Sequence, residues 1–404
     1  MNNQFKQSIL IILLLISLLI PGCWSRKEVE DLAITTLLGV DRIAPTSSTG
    51  EAVWQVSAKV MEPRAQGTGG NGSQQSSPGN GSGVGQELLF TGTGRTLQEA
   101  ARNLMLRSPR YMFLGYVSGL IIGEKAAQAG VGQIAELQAR YRQFRLRTFI
   151  MVTPGEAFGI LQAHPEVDPN LAQEISGLET KKVDRIGISC GIDCNEFLQT
   201  LLSPDRDPVA AEIYVIKPQE DPQVAVDKAV VIQGLAVFRG EKLVGWLDQS
   251  ETLGYVVNCG LNSAQIPLSV PVKGQTFSYV IGKVQSKIKV QVSGEQISYR
   301  VQLKTWGGVE EFKNSELNPG QLQLIEQAAG EFVRNSVLNT VQKARRLDAD
   351  ILGFSQQLHR CKPEVWRELG PNWRESWRNA VVEVHAECQI LQTGKASGLS
   401  KFKS

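Results

Sequence analysis

The feature that most restricts this chain is strict two-residue alternation in its second half. Val284, Ser286, Ile288, Val290 and Val292 interleave with Gln285, Lys287, Lys289 and Gln291. Beyond Ser293-Gly294-Glu295-Gln296, Ile297, Tyr299, Val301 and Leu303 interleave with Ser298, Arg300, Gln302 and Lys304. Neighbouring side chains of a strand point to opposite faces, so alternation carried through a turn predicts an antiparallel pair with one dry and one wet face. The dry face needs a cover. Asn318-Pro319 opens a helical pattern that puts Leu322, Ile325, Ala329, Phe332, Val333, Val337 and Val341 on one stripe, and that stripe can supply it. Val382, Val384, Ala386, Cys388 and Ile390 alternate once more and predict a last strand with these residues inward. Residues 218–404 are therefore expected to form a C-terminal α+β domain, an antiparallel sheet packed on a long helix.

Different physics governs the start of the chain. Ile9 to Ile20 is apolar apart from Ser17, and Pro21-Gly22-Cys23 follows. As a helix the run rises about 18 Å, short of a bilayer core of about 30 Å, so it reads as the apolar part of a signal peptide. Gly22 directly before Cys23 resembles a lipobox, with Ile20 and Pro21 where Leu and Ala or Ser are commoner. Residues 1–22 are expected to be removed and Cys23 to carry a diacylglyceryl thioether. Two acyl chains on one cysteine give stable anchoring where a single chain gives only marginal binding. The rest is expected to be a body on the exported side, anchored to the membrane through lipid.

Residues 23–217 read as an N-terminal mixed α/β domain. Ile34 to Asp41 and the alternating Val53 to Met61 predict paired strands. Thr96 with Glu99 forms a T-x-x-E capping pattern ahead of Leu97, Ala100, Ala101, Leu104 and Met105. Strands are expected at Tyr116–Ile122 and Thr148–Val152, with helices at Val131–Phe144 and Gly155–Gln162. Residues 64–86, rich in Gly, Ser, Asn and Gln, cannot bury a core and predict a disordered insertion. Lys217-Pro218-Gln219-Glu220-Asp221-Pro222 reads as the boundary, and Ala229–Phe238 with Lys242–Leu247 as a hairpin across Arg239-Gly240-Glu241.

Composition narrows the function. With 42 Lys+Arg against 40 Asp+Glu the chain has no strong basic field, so no nucleic-acid partner is expected. Three histidines, His164, His359 and His385, leave little for acid–base or metal chemistry, and neither a metal nor a cofactor is expected. Gly187-Ile188-Ser189-Cys190-Gly191 matches the G-x-S-x-G nucleophile elbow, but no strong strand precedes it. A glycine-flanked loop is the expected reading. Apart from Cys23, an odd set of thiols remains, Cys190, Cys194, Cys259, Cys361 and Cys388, which cannot all pair internally. Arg140, Arg142, Arg145 and Arg147 interleave with Tyr141 and Phe144, a pattern that most often marks a solvated helix face and otherwise suits RNA or, closer to the expected anchor, an anionic headgroup. Trp366, Trp373 and Trp377 are candidates for core or for an interface.

These stretches accumulate into a resemblance. Cys23-Trp24-Ser25-Arg26-Lys27-Glu28-Val29-Glu30-Asp31-Leu32-Ala33-Ile34 with Gly39-Val40-Asp41, and Gly94-Arg95-Thr96-Leu97-Gln98-Glu99-Ala100 with Leu106-Arg107-Ser108-Pro109-Arg110, stand in the N-terminal half. Gly234-Leu235-Ala236-Val237-Phe238 with Leu243-Val244-Gly245-Trp246-Leu247, and Asp350-Ile351-Leu352-Gly353-Phe354 with Leu358-His359-Arg360, Pro363, Trp366 and Trp373, follow in order. Together they resemble the Ger(x)C family of spore germination lipoproteins, the C subunits of nutrient germinant receptors. The chain departs from the family pattern at Ser25, where Asp or Glu is common, and in its glycine-rich insertion. The resemblance implies a non-enzymatic, multi-domain body on the outer face of the spore inner membrane. It also implies integral-membrane A and B subunits as partners, and no catalytic residues. Two rivals from other classes are a solute-binding lipoprotein of an importer, which needs two doubly wound parallel domains, and an envelope hydrolase using Ser189.

Overall fold

The computed structural model describes residues 29–44, 52–61, 87–141, 143–180, 186–221, 223–224, 226–294, 296–311 and 317–393. Cys23, Arg142 and the 64–86 insertion lie outside them, as do the side chains of residues 137–140.

Among the described residues, a nine-stranded sheet organises the first part. β1 (Leu32–Ile43) lies antiparallel to β2 (Val53–Met61), which is antiparallel to β3 (Glu87–Gly94). On its other side β1 runs parallel to β4 (Tyr111–Phe113) and to β5 (Gly119–Gly123), and β5 runs parallel to β6 (Phe149–Thr153). β7 (Val209–Ile216) adds parallel to β6, then β8 (Ala229–Arg239) and β9 (Lys242–Leu247) add antiparallel. The segment 217–228 thus connects two neighbouring strands of one sheet.

The sheet is covered on both faces, and β5, Gly-Leu-Ile-Ile-Gly, is buried throughout, as a central parallel strand should be. Alternate residues sort into two cores. Leu37, Ile121 and Met151 pack with α4 (Ala157–Leu161) and α5 (Leu171–Leu178). Leu38, Val40, Leu120, Ile122 and Val152 pack with α1 (Leu97–Leu106), α2 (Glu124–Ala129) and α3 (Gly132–Arg140). The Thr96 hydroxyl accepts from the Glu99 N–H, as its spacing predicts, while Glu99 reaches one residue further back, to the Arg95 N–H. α3 ends short of Phe144, whose N–H instead donates to the Tyr141 carbonyl in a turn. The strand expected from Tyr116 starts at Gly119, because Leu114–Tyr116 forms one 3-10 turn. α6 (Cys194–Leu201) follows, capped by Asp193.

α7 (Gln249–Cys259) leads into the second sheet: β10 (Ile266–Val272), β11 (Gln275–Ser293), β12 (Gln296–Glu311) and β13 (Val381–Thr393), in that order. β11 and β12 pair antiparallel from Ser293–Gln296 outward. Their alternation sorts as expected, with Val284, Tyr299, Val301 and Leu303 buried. α8 (Pro319–Arg346) packs on α7 and β13; Asn318 and Gln321 close its start as a reciprocal capping box. Ile325, Ala329, Val333, Val337 and Val341 face the core, whereas Phe332 turns outward and is 37% exposed. The long excursion through α8, α9 (Phe354–Cys361), α10 (Pro363–Leu369) and α11 (Trp373–Asn379) returns β13 parallel to β12, so the sheet is antiparallel except for its last strand. A crossover of that length makes the parallel return possible. Mixed helices and sheets in two bodies of strands make this an α+β fold.

Candidate functional site

The residues that carry chemistry gather in buried charge clusters at helix starts. Asp41, at the end of β1, accepts from the Ala157 N–H (2.7 Å) and the Phe158 N–H (2.9 Å) at the start of α4. Helix N-termini leave amides unsatisfied, and a carboxylate there satisfies them and opposes the helix dipole. Burial pushes the Asp41 carboxyl up to about 6; the two backbone N–H bonds pull the other way and the charge of Glu156 adds to the rise.

A larger cluster joins the two sheets. Asp350 is fully buried and accepts from the N–H groups of Gly353 (3.0 Å), Phe354 (3.1 Å) and Ser355 (2.6 Å), which open α9. Gly353 has φ of 77°, a left-handed conformation suited to glycine, and this turn aims the three amides at one carboxylate. Burial raises the Asp350 carboxyl above its ordinary range, against those bonds. The Asp350 N–H in turn donates to Asp207 Oδ2 at 2.9 Å, and the Gly240 N–H donates to Asp207 Oδ1 at 2.9 Å. Arg374, at the start of α11, holds both Asp207 oxygens at 2.7 and 2.8 Å and donates to the Asp348 carbonyl at 3.0 Å. Asp348 pairs with Arg239 (3.2 Å) and Arg378 (3.5 Å). Strand starts, the β8–β9 turn, α9 and α11 are therefore locked by one bidentate pair and its neighbours.

The tryptophans pack around this joint. Trp377 is buried and stacks on Phe354 (6.0 Å between ring centroids), which meets Tyr299 of β12 at 4.9 Å. Trp366 stacks on His359 at 4.8 Å and tilts against Trp373 at 5.8 Å, while the Arg374 guanidinium lies 4.4 Å over Trp373. His359 meets Asp205 Oδ2 at 2.6 Å. Beside the joint a polar cleft of about 750 Å³ is lined by Glu196, Arg206, Asn258, Lys287, Gln356 and Arg360. Its mixture of charges and amides suits a small polar molecule better than an apolar one.

The other candidates are dispersed. Ser189 is fully buried in a loop and donates to the Gly234 carbonyl at 2.9 Å. His359 lies in α9 beside Asp205, and His385 on the wet face of β13 near Glu383 at 3.9 Å, so neither reaches Ser189 as a base. No disulfide joins the five described cysteines; Cys194 and Cys388 are buried, Cys190 half-buried and Cys259 and Cys361 exposed. Among the described residues no three His, Cys, Asp or Glu side chains converge as metal ligands, and no helix is long and apolar enough to cross a membrane. Arg145 and Arg147 are exposed beyond α3. Sequence reasoning missed Asp207 and Arg374; their only local signals are an Asp-Pro step at a strand start and one arginine in an amphipathic turn.

The same architecture has been solved before. The crystal structure of the GerBC protein superposes with a TM-score of 0.54 at 15% identity, covering 88% of this chain and 98% of that one, a likeness of fold. The description "Spore germination protein N-terminal domain" matches residues 25–215, and "Spore germination B3/ GerAC like, C-terminal" matches residues 233–394. Spore germination protein KC of Bacillus subtilis (strain 168) is 24% identical over 96% of this chain and 96% of its own length. Spore germination protein GerQC of Bacillus cereus is 19% identical over 95% and 98%. The two matched domains make this two-sheet α+β body one of the germination-protein class. The chain belongs to the Ger(x)C family of spore germination proteins.

Proposed function

We propose that the chain is the lipid-anchored C subunit of a nutrient germinant receptor, acting with integral-membrane A and B subunits on the outer face of the spore inner membrane. The observation that carries this reading is the match of both germination-protein domains, in order, across residues 25–215 and 233–394. The anchor is a diacylglyceryl thioether at Cys23, formed after loss of residues 1–22. Confinement to the membrane surface raises the body's effective concentration toward its integral partners, so modest contacts suffice. Its work is binding and positioning, not catalysis. Structural roles absorb the residues an enzyme would use: Ser189 bonds a carbonyl, and the Asp207 and Asp350 carboxylates hold backbone amides.

Cys23→Ala tests the anchor. The variant should leave the membrane fraction in a high-salt wash and lower the germination response, and mass spectrometry should find two acyl chains on the mature wild-type terminus. Full retention and response in the variant, or an unmodified thiol at Cys23, would refute the reading.

A further inference from the structure

Strand register collects several segments at one end of the large sheet. Leu32 pairs with Tyr111, Ile34 with Phe113, and Leu37 with Gly119, which pairs onward with Phe149. Because β1, β4, β5 and β6 run parallel, their N-terminal ends and the turns feeding them share a side. The chain enters there through the 3-10 turn Val29–Asp31. The turn after Leu106 of α1 and the segment before Phe149 arrive at the same end.

That end exposes large apolar side chains: Leu106 at 76%, Tyr111 at 62%, Tyr116 at 58% and Leu146 at 53%. Single exposed apolar residues need no explanation, but a group of them does. Arginines are set among them. Arg110 precedes Tyr111, Arg145 and Arg147 flank Leu146, and the Arg145 guanidinium lies 5.3 Å over the Tyr116 ring. Acidic groups at this end include Glu30 and Asp31 at the chain entry and Asp193, whose carboxylate is engaged in capping α6. Apolar and aromatic side chains that enter the headgroup layer, with guanidinium groups to meet phosphates, are what an interfacial surface requires.

We propose that this end of the large sheet is a second, non-covalent membrane contact, resting on anionic phospholipid with Leu106, Tyr111, Tyr116 and Leu146 in the headgroup layer and Arg110, Arg145 and Arg147 on phosphates. The tether selects a bilayer as the occupant. Val29 lies six residues beyond Cys23, about 20 Å at full extension, so an acylated Cys23 keeps this end within reach of the lipid surface. That orientation rests on the proposed anchor; the affinity of the patch for lipid does not. A covalent anchor sets distance, while the patch sets which way the body faces.

The chain produced from Trp24 onward lacks the anchor yet keeps every described element, all of which begin at Val29 or later. Its co-flotation with vesicles of phosphatidylglycerol and phosphatidylcholine is compared with vesicles of phosphatidylcholine alone. Binding is expected on the anionic vesicles only, falling as salt rises. Arg145→Gln with Arg147→Gln should weaken it about 25-fold, about fivefold for each arginine. Leu106→Ser with Tyr111→Ser should weaken it as well, and Lys289→Gln, on the wet face of β11, should not; thermal melts check that each variant folds. Undiminished binding in the arginine pair, equal binding to both vesicle types, or equal loss in Lys289→Gln would overturn the proposal. Retention only on vesicles that carry integral germination proteins would also overturn it and assign the surface to a protein. An unmodified Cys23 with vesicle binding intact would sink the anchor and leave the patch standing.

Discussion

Arg374→Met removes one half of the pair that locks the joint. The Asp207 side chain is 1% exposed and that of Arg374 29%, so the variant leaves a buried carboxylate without its counter-charge while water reaches only the arginine side. Breaking one partner of a buried pair costs about 3–5 kcal/mol. Asp207 keeps one backbone donor on each oxygen, from Gly240 and Asp350, which places the loss at the lower end, about 3 kcal/mol. Arg374→Lys retains charge but presents no planar fork to both oxygens and should lose about half as much. Urea unfolding of the two variants, of Asp207→Asn and of the double variant gives the coupling energy directly, expected near 2 kcal/mol. Hydrogen exchange of the Gly240, Asp350 and Gly353 amides should rise in the same variants, since these amides are fixed by the two carboxylates. A loss for Arg374→Met below about 1 kcal/mol, the worth of a surface pair, or a lysine variant as stable as wild type, would refute the account of the joint.

The Asp41 carboxyl, held up at about 6 by burial, titrates near 3.9 in an unfolded chain. The folded state therefore binds the proton more tightly, and the stabilisation this provides is complete below about pH 4 and lost as pH rises through about 6. Asp41→Asn should flatten that part of the pH dependence, about 3 kcal/mol at most; urea midpoints measured from pH 4 to 7 that keep the wild-type slope would contradict it. Gly92→Ala places a Cβ against the Leu104 nitrogen and the Ala100 carbonyl of α1. Backbone on both sides cannot yield cheaply, so a loss of about 3 kcal/mol is expected, whereas Gly159→Ala in α4, with open space around it, should gain up to about 1 kcal/mol. Comparable thermal shifts in the two would show that α1 does not pack on β3 this closely.

Much of the fold was legible locally. Asn318 before Pro319 and Thr96 with Glu99 announce helix starts because a cap is satisfied within a few residues. The β11–β12 hairpin is legible because its turn closes between Ser293 and Gln296 and each strand repeats every second residue. The extent of α3 and the start of β5 were less so: Phe144 and Tyr116 are apolar enough to continue either element, and only the turns they make at Tyr141 and Leu114 end them. The tryptophans show the same limit. Residue type marks Trp366, Trp373 and Trp377 as candidates for core or for an interface, but not that His359 and Arg374 cover two of them.

The amino-acid order alone determined the helix caps at Thr96 and Asn318, the hairpins and the family to which the chain belongs, since each is written in neighbouring residues or in short repeats. Tertiary structure decided which strands pair across the large sheet, that β13 returns parallel to β12, and that Asp207 meets Arg374. It also brought Leu106, Tyr111, Tyr116 and Leu146 to one end. The reason is distance along the chain: Asp207 and Arg374 are separated by 167 positions, and no periodicity reports a partner that far away. Such pairings are chosen by burying many apolar faces at once, and the buried charges then meet where that packing leaves them.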